Sequence, residues 1–65
     1  MQLTINGEQR DVRSETIGSV LIELGMDQAP CAVEVNRTLI PARSRKDHTL
    51  KDGDVLEIVT LVGGG

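Results

Sequence analysis

The place in this sequence where residue type and position together point to chemistry is its C-terminus, where Val62-Gly63-Gly64-Gly65 leaves an α-carboxylate on glycine. Successive glycines carry no Cβ to meet the walls of a tunnel, so Gly63 and Gly64 suit an extended tail that threads a narrow cleft in a partner. A carboxylate is inert until it is activated. As an acyl phosphate or adenylate, its carbon becomes an electrophile for a sulfur or amine nucleophile, and on Gly65 that carbon is unhindered. The plain alternative is a frayed end.

The other reactive residue types form no constellation. His48, the single histidine, stands between Asp47 and Thr49 and reads as a surface residue. Cys31 or Ser19 acting as a nucleophile needs a base and an oxyanion hole, and the sequence places neither; Cys31 reads as a packed strand thiol. Asp52-Gly53-Asp54 lacks the further oxygen ligands at alternate positions that a calcium loop needs, and reads as a turn. No catalytic residue and no metal site is expected. Of the 7 basic residues, Arg37, Arg43, Arg45, Lys46 and Lys51 cluster between positions 37 and 51. They read as a solvated charged stretch, with a docking surface for an acidic partner as the alternative.

A tail needs a body to present it, and the preceding segments describe one. Leu3 and Ile5 alternate with Gln2 and Thr4, and Asn6-Gly7 is a hairpin turn whose residues both tolerate positive φ. The return arm, Glu8 to Val12, is polar, as an edge strand with a solvated face is. Thr16 caps a helix with Ile17, Val20, Leu21 and Leu24 on one stripe, and Gly25 suits the left-handed position that ends it. In the third strand Cys31, Val33 and Val35 share a face, opposite Ala32 and Glu34. Asn36-Arg37 turns the chain into Leu39-Ile40, which Pro41 closes.

Ala42 to Asp47 reads as charged and irregular, with Leu50 as the next core anchor. After a turn at Lys51 to Asp54, Val55 to Leu61 is the most apolar strand, hence central, beside the first strand and parallel to it. Its outward residues Val55, Val59 and Leu61 are expected to form an exposed apolar patch; Val59, Leu61 and Val62 are the candidate docking residues. This order predicts an α+β chain of β-grasp architecture, a mixed sheet of four to five strands with one main helix on one face. The domain covers 1–61 and a flexible glycine tail covers 62–65.

Composition narrows the functions such a body can have. With 65 residues the chain holds one small core, too small to surround a sizeable substrate pocket, which favours a carrier or binding module over an enzyme. A net charge of −3 is the wrong sign for nucleic acid, and the absence of Phe, Tyr and Trp removes base stacking. No apolar run spans a bilayer and no signal peptide opens the chain, so a cytoplasmic address is expected. A lone cysteine makes no internal disulfide, so packing alone holds the fold.

Taken together, Ala32-Val33-Glu34-Val35-Asn36, Leu39-Ile40-Pro41, Leu50-Lys51-Asp52-Gly53-Asp54 and the glycine terminus resemble the ThiS family of sulfur carriers of thiamine biosynthesis, a ubiquitin-like β-grasp family. The resemblance covers essentially the whole chain. It implies that Gly65 is adenylated by an ATP-dependent adenylyltransferase resembling the E1 enzymes, converted to a thiocarboxylate with sulfur from a cysteine desulfurase or a related donor, and used by thiazole synthase. ATP and magnesium then belong to the activating partner, and no cofactor is bound here. The sequence departs from the family pattern in ending on three glycines instead of two, and in a last strand without an aromatic residue, so the partner contact is aliphatic. The small subunit of molybdopterin synthase, another ubiquitin-like sulfur carrier or protein modifier, and a non-carrier β-grasp interaction module are the rival readings.

Overall fold

The computed structural model describes residues 1–61. Asn6 and Gly7 both take positive φ, 51° and 84°, the mirror-image turn that matches strand twist. It folds β1 (Gln2–Ile5) back antiparallel onto β2 (Glu8–Asp11), with Ile5 opposite Glu8. β2 stops at Asp11, one residue short of the expected end. Val12, buried in the core, still pairs with Met1 beyond the strand's end, its N–H donating to the Met1 carbonyl at 2.8 Å and its carbonyl accepting the Met1 amino group at 2.7 Å.

Helix α1 (Ile17–Glu23) starts where the Thr16 hydroxyl accepts the Ser19 N–H at 3.2 Å, satisfying one of the donors that a helix start leaves free. It ends at Gly25, φ 74°, where Gly25 N–H donates to Ile22 and Met26 N–H to Leu21. Ile17, Val20 and Leu21 are buried, and Leu24, the last member of the expected stripe, packs half-buried at the cap.

β3 (Cys31–Val35) and β4 (Thr38–Ile40) form a second hairpin about Asn36 and Arg37, at φ 50° and 72°. The stretch expected to be irregular contains a short 3₁₀ turn, Ala42–Ser44, entered from Pro41, whose carbonyl accepts the Ser44 N–H. β5 (Val55–Thr60) completes a sheet ordered β2-β1-β5-β3-β4, in which β5 is central, parallel to β1 and antiparallel to β3. Leu61, expected inside this strand, follows it.

The core lies between α1 and one face of the sheet: Leu3 and Ile5, then Val33 and Val35, then Leu56 and Ile58 meet the helix stripe, with Leu50 closing one side. The apolar character of β5 is divided between two destinations. Leu56 and Ile58 enter the core, whereas Val55 and Val59 stand on the open face. This is the mixed-sheet β-grasp arrangement. Among the described residues no helix is long and apolar enough to cross a membrane.

Candidate functional site

β5 is the element that leads to the C-terminus, and its edges are fixed by side chains as well as by neighbouring strands. On the β1 side the ladder is short: Thr4 N–H donates to Asp54 at 3.0 Å and Asn6 N–H to Leu56 at 2.9 Å, after which β1 turns away. The Asn6 side chain takes over beyond that point and bonds both backbone groups of Ile58. At the start of β5, Asn36 Oδ1 accepts the Val55 N–H at 3.0 Å while its Nδ2 donates to Asp54 Oδ1 at 3.0 Å. The last tie is Leu61 N–H to the Pro30 carbonyl, 2.8 Å, which carries the pairing one residue past the strand.

The expected reacting residue Gly65, the slender residues Gly63 and Gly64 and the docking candidate Val62 lie outside the described residues. The other docking candidates stand where the sequence pattern puts them. Val59 and Leu61 are exposed on the outward side of β5 and just beyond it, and so is Val55, the third member of the expected exposed set. Such side chains are normal singly, and here Glu57 stands between Val55 and Val59 on the same face, so the expected apolar patch is interrupted by a carboxylate.

The remaining reactive residue types are absorbed by structure. Cys31 is buried at the start of β3, and the Arg45 guanidinium lies over it, donating from Nη2 to the Cys31 carbonyl at 2.6 Å with Nη1 3.7 Å from Sγ. Arg45 therefore leaves the solvated stretch in which its neighbours Arg43 and Lys46 remain exposed, and sequence reasoning missed it. Its signal is absent because its partner is a backbone carbonyl 14 residues away.

His48 is half-buried, not fully on the surface, since its carbonyl accepts the Ile17 N–H at 3.1 Å and draws the residue against the start of α1. Asp52 and Asp54 spend their carboxylates on backbone donors: Gln2 N–H at 2.7 Å and Lys51 N–H at 2.8 Å, with Gly53 at φ 91° between them. That is a turn. Among the described residues no group of three or more metal-ligating side chains converges.

Comparisons with known proteins agree on one family. The ThiS family model matches residues 3–65. The chain is 38% identical over 61 residues to the sulfur carrier protein ThiS of Thermus thermophilus, covering 94% of this chain and 95% of that one. A thiazole synthase of Paramagnetospirillum magneticum is 46% identical over 66 residues; the match takes in 100% of this chain, which spans only 20% of that protein's length. The crystal structure of the thiamine biosynthesis protein ThiS of Geobacter metallireducens superposes with a TM-score of 0.83 at 32% identity, covering 100% of both chains.

Proposed function

Because the chain belongs to the ThiS family of sulfur carrier proteins of thiamine biosynthesis, we propose that its reacting group is the α-carboxylate of Gly65 and that all bond-making takes place in partner active sites. A carboxylate oxygen of Gly65 attacks the α-phosphorus of ATP and displaces pyrophosphate, giving an acyl adenylate. The terminal sulfur of a persulfide on a cysteine desulfurase or a related donor then attacks the acyl carbon and displaces AMP, and a thiol cleaves the S–S bond of the resulting acyl disulfide, becoming a disulfide itself and leaving a thiocarboxylate. ATP and its magnesium are held by the activating adenylyltransferase. Thiazole synthase consumes the thiocarboxylate, in keeping with a relative of that name in which a segment like this chain accounts for a fifth of the length. The chain is thus a cytoplasmic cosubstrate and not an enzyme.

The observation that carries this reading is the direction of β5. The central strand, tied on both edges, runs out through Leu61 on the Pro30 carbonyl toward the glycines. The described fold ends next to the segment that reacts, so recognition by the body delivers the tail.

Removal of Gly64 and Gly65 tests the reading. The shortened chain keeps the melting temperature of the intact one, since every described core contact lies before them, yet it is not adenylated and supports no thiazole formation. A shortened chain that still sustains thiazole formation overturns the assignment and makes the protein an interaction module.

A further inference from the structure

Residues 37–51 hold five of the 7 basic residues but only Asp47 of the 10 acidic ones, in a chain whose net charge is −3. Among the described residues none of the five forms an ion pair, the pairs there being Met1 with Asp11 and Arg10 with Glu8. Part of this basic stretch is strapped across the first turn of α1: Gly18 N–H donates to the Arg45 carbonyl at 3.0 Å, and a Cβ on Gly18 would stand 3.3 Å from the Lys46 Cα. Between strap and helix runs a groove of about 340 Å³, bordered by Ser19, Leu21 and Ile22 on α1, by Arg45 and Lys46 on the strap, and by Asp27. Ile22, on the side of α1 away from the core, is 64% exposed, as open as any aliphatic side chain of the described fold.

Arg45 gives the groove a charge without a counter-ion. Its Nη groups meet the carbonyl and the sulfur of Cys31, and its buried Nε has no hydrogen-bond partner among the described residues. A half-buried guanidinium left in this way is costly, and a carboxylate supplied from outside offsets the cost. Arg43 and Lys46 stand exposed on the same strap, while Asp27, the one carboxylate bordering the groove, accepts Gln28 Nε2 at 3.1 Å. The groove also lies close to the tail. Arg45 holds the Cys31 carbonyl at 2.6 Å, Cys31 stands opposite Thr60, and Leu61 N–H bonds the adjacent Pro30 carbonyl, so Arg45 marks the end of the sheet from which the chain leaves for the glycines. The four residues after Leu61 span at most about 14 Å when extended.

We propose that this groove docks an acidic segment of the protein that delivers sulfur, with a carboxylate of that segment against Arg45 and Lys46 and an aliphatic side chain over Ile22. The inference rests on the reading that Gly65 is adenylated and then loaded from a persulfide. That reaction brings two proteins to one carbon: the activating enzyme, which keeps the adenylate from water, and the donor, whose sulfur attacks it. The donor therefore needs a hold of its own on the carrier, close to the tail, and the groove supplies one on the α1 side of the sheet. Other anionic occupants fit worse. Nucleic acid meets a chain of negative net charge without an aromatic residue, and one exposed aliphatic side chain beside three cations is too little for stable attachment to a membrane.

The test is the rate at which the adenylated carrier gains sulfur on its C-terminal peptide, read by mass, as the concentration of a persulfide-loaded cysteine desulfurase is varied; pyrophosphate release is followed alongside. Arg43→Glu with Lys46→Glu raises the half-saturating donor concentration at least about tenfold and leaves pyrophosphate release unchanged. Ile22→Ser raises it about fivefold. Both variants keep the melting temperature, because the altered side chains are exposed. Arg37→Glu makes the same kind of charge reversal at the β3–β4 turn, at the other end of β3 from Cys31, and leaves the value within about twofold. If the unaltered chain is loaded while the groove variants keep its half-saturation, or if Arg37→Glu raises it as much as they do, the docking inference is wrong and the carrier reading stands. Slower pyrophosphate release in the groove variants would give the groove to the adenylyltransferase and overturn the assignment to the donor, as would an unaltered chain that is adenylated yet gains no sulfur from the desulfurase. If the unaltered chain is not adenylated at all, the carrier reading fails and this inference with it.

Discussion

The side-chain amide of Asn6 pairs with the backbone of Ile58 in both directions, accepting from its N–H at 2.7 Å and donating to its carbonyl at 3.0 Å. Beyond the turn at Gly7, β1 no longer accompanies β5, and these two groups of the central strand would have no neighbour on that side. Asn6 stands in for the missing strand. The same residue needs the left-handed conformation, φ 51°, which asparagine tolerates better than most side chains. One position thus closes a hairpin and holds the strand that leads to the C-terminus.

Replacing Asn6 separates those two duties. Asn6→Gly keeps the turn and loses the clamp, and is expected to lower the free energy of unfolding by about 1 to 2 kcal/mol; Asn6→Ala adds the strain of a positive φ and costs about 2 to 3 kcal/mol. Urea denaturation measures both. Equal losses for the two variants would mean that the clamp alone matters and the turn conformation does not.

The carboxylate of Glu23 on α1 predicts a dependence on pH. It accepts the Ser14 hydroxyl at 2.6 Å, the Arg13 N–H at 3.2 Å and the Ser14 N–H at 3.1 Å, joining the segment before the helix to its last turn. The Ser14 hydroxyl first, then the Arg13 N–H, holds the carboxyl below its ordinary value of 4.5. Since the folded-state pKa is lowered, the stabilisation is complete above the ordinary value and disappears as pH falls through the lowered one. Glu23→Gln should therefore flatten the fall in urea midpoint on acidification relative to the unaltered chain. A fall of unchanged steepness would place the acid sensitivity in other carboxylates.

The lone thiol takes no part in sulfur transfer on this account. Cys31 is 8% exposed beneath Arg45, out of reach of a donor enzyme. Cys31→Ser is expected to cost about 1 kcal/mol, because a more strongly hydrated hydroxyl replaces a buried thiol, and to load sulfur at the unaltered rate, as read from the mass of the C-terminal peptide. Loss of loading in a folded Cys31→Ser protein would assign the thiol a role in transfer.

Crowding the tail should slow activation without touching the body. Gly64→Val puts a β-branched side chain where the account requires none, and is expected to cut the adenylation rate by about tenfold or more while the melting temperature stays unchanged. A normal rate would remove the argument that the glycines serve passage through a narrow cleft.

Much of this architecture is legible because short-range rules and the tertiary fold agree. Asn6-Gly7, the Thr16 cap, the Gly25 stop and the alternation of Cys31, Val33 and Val35 each state their conformation locally, and each is realised. What escapes sequence reading depends on partners far along the chain. The Asn6 to Ile58 clamp joins residues 52 positions apart, and Arg45 meets the Cys31 carbonyl across 14. The opposition of Glu34 and Glu57 depends on the register of β3 against β5, which neither strand specifies by itself. Outward exposure of Val55, Val59 and Leu61 follows from strand alternation; the acidic pair among them does not.

The central claim, that Gly65 carries the sulfur, is tested most directly by the intact mass of the protein after incubation with the adenylyltransferase, ATP and a sulfur donor, with the C-terminal peptide then mapped. The account predicts a species heavier by the difference between one sulfur and one oxygen, located in the peptide that ends at Gly65 and absent when the C-terminus is amidated beforehand. A sulfur found on Cys31, or the same gain in mass on the amidated protein, would contradict it.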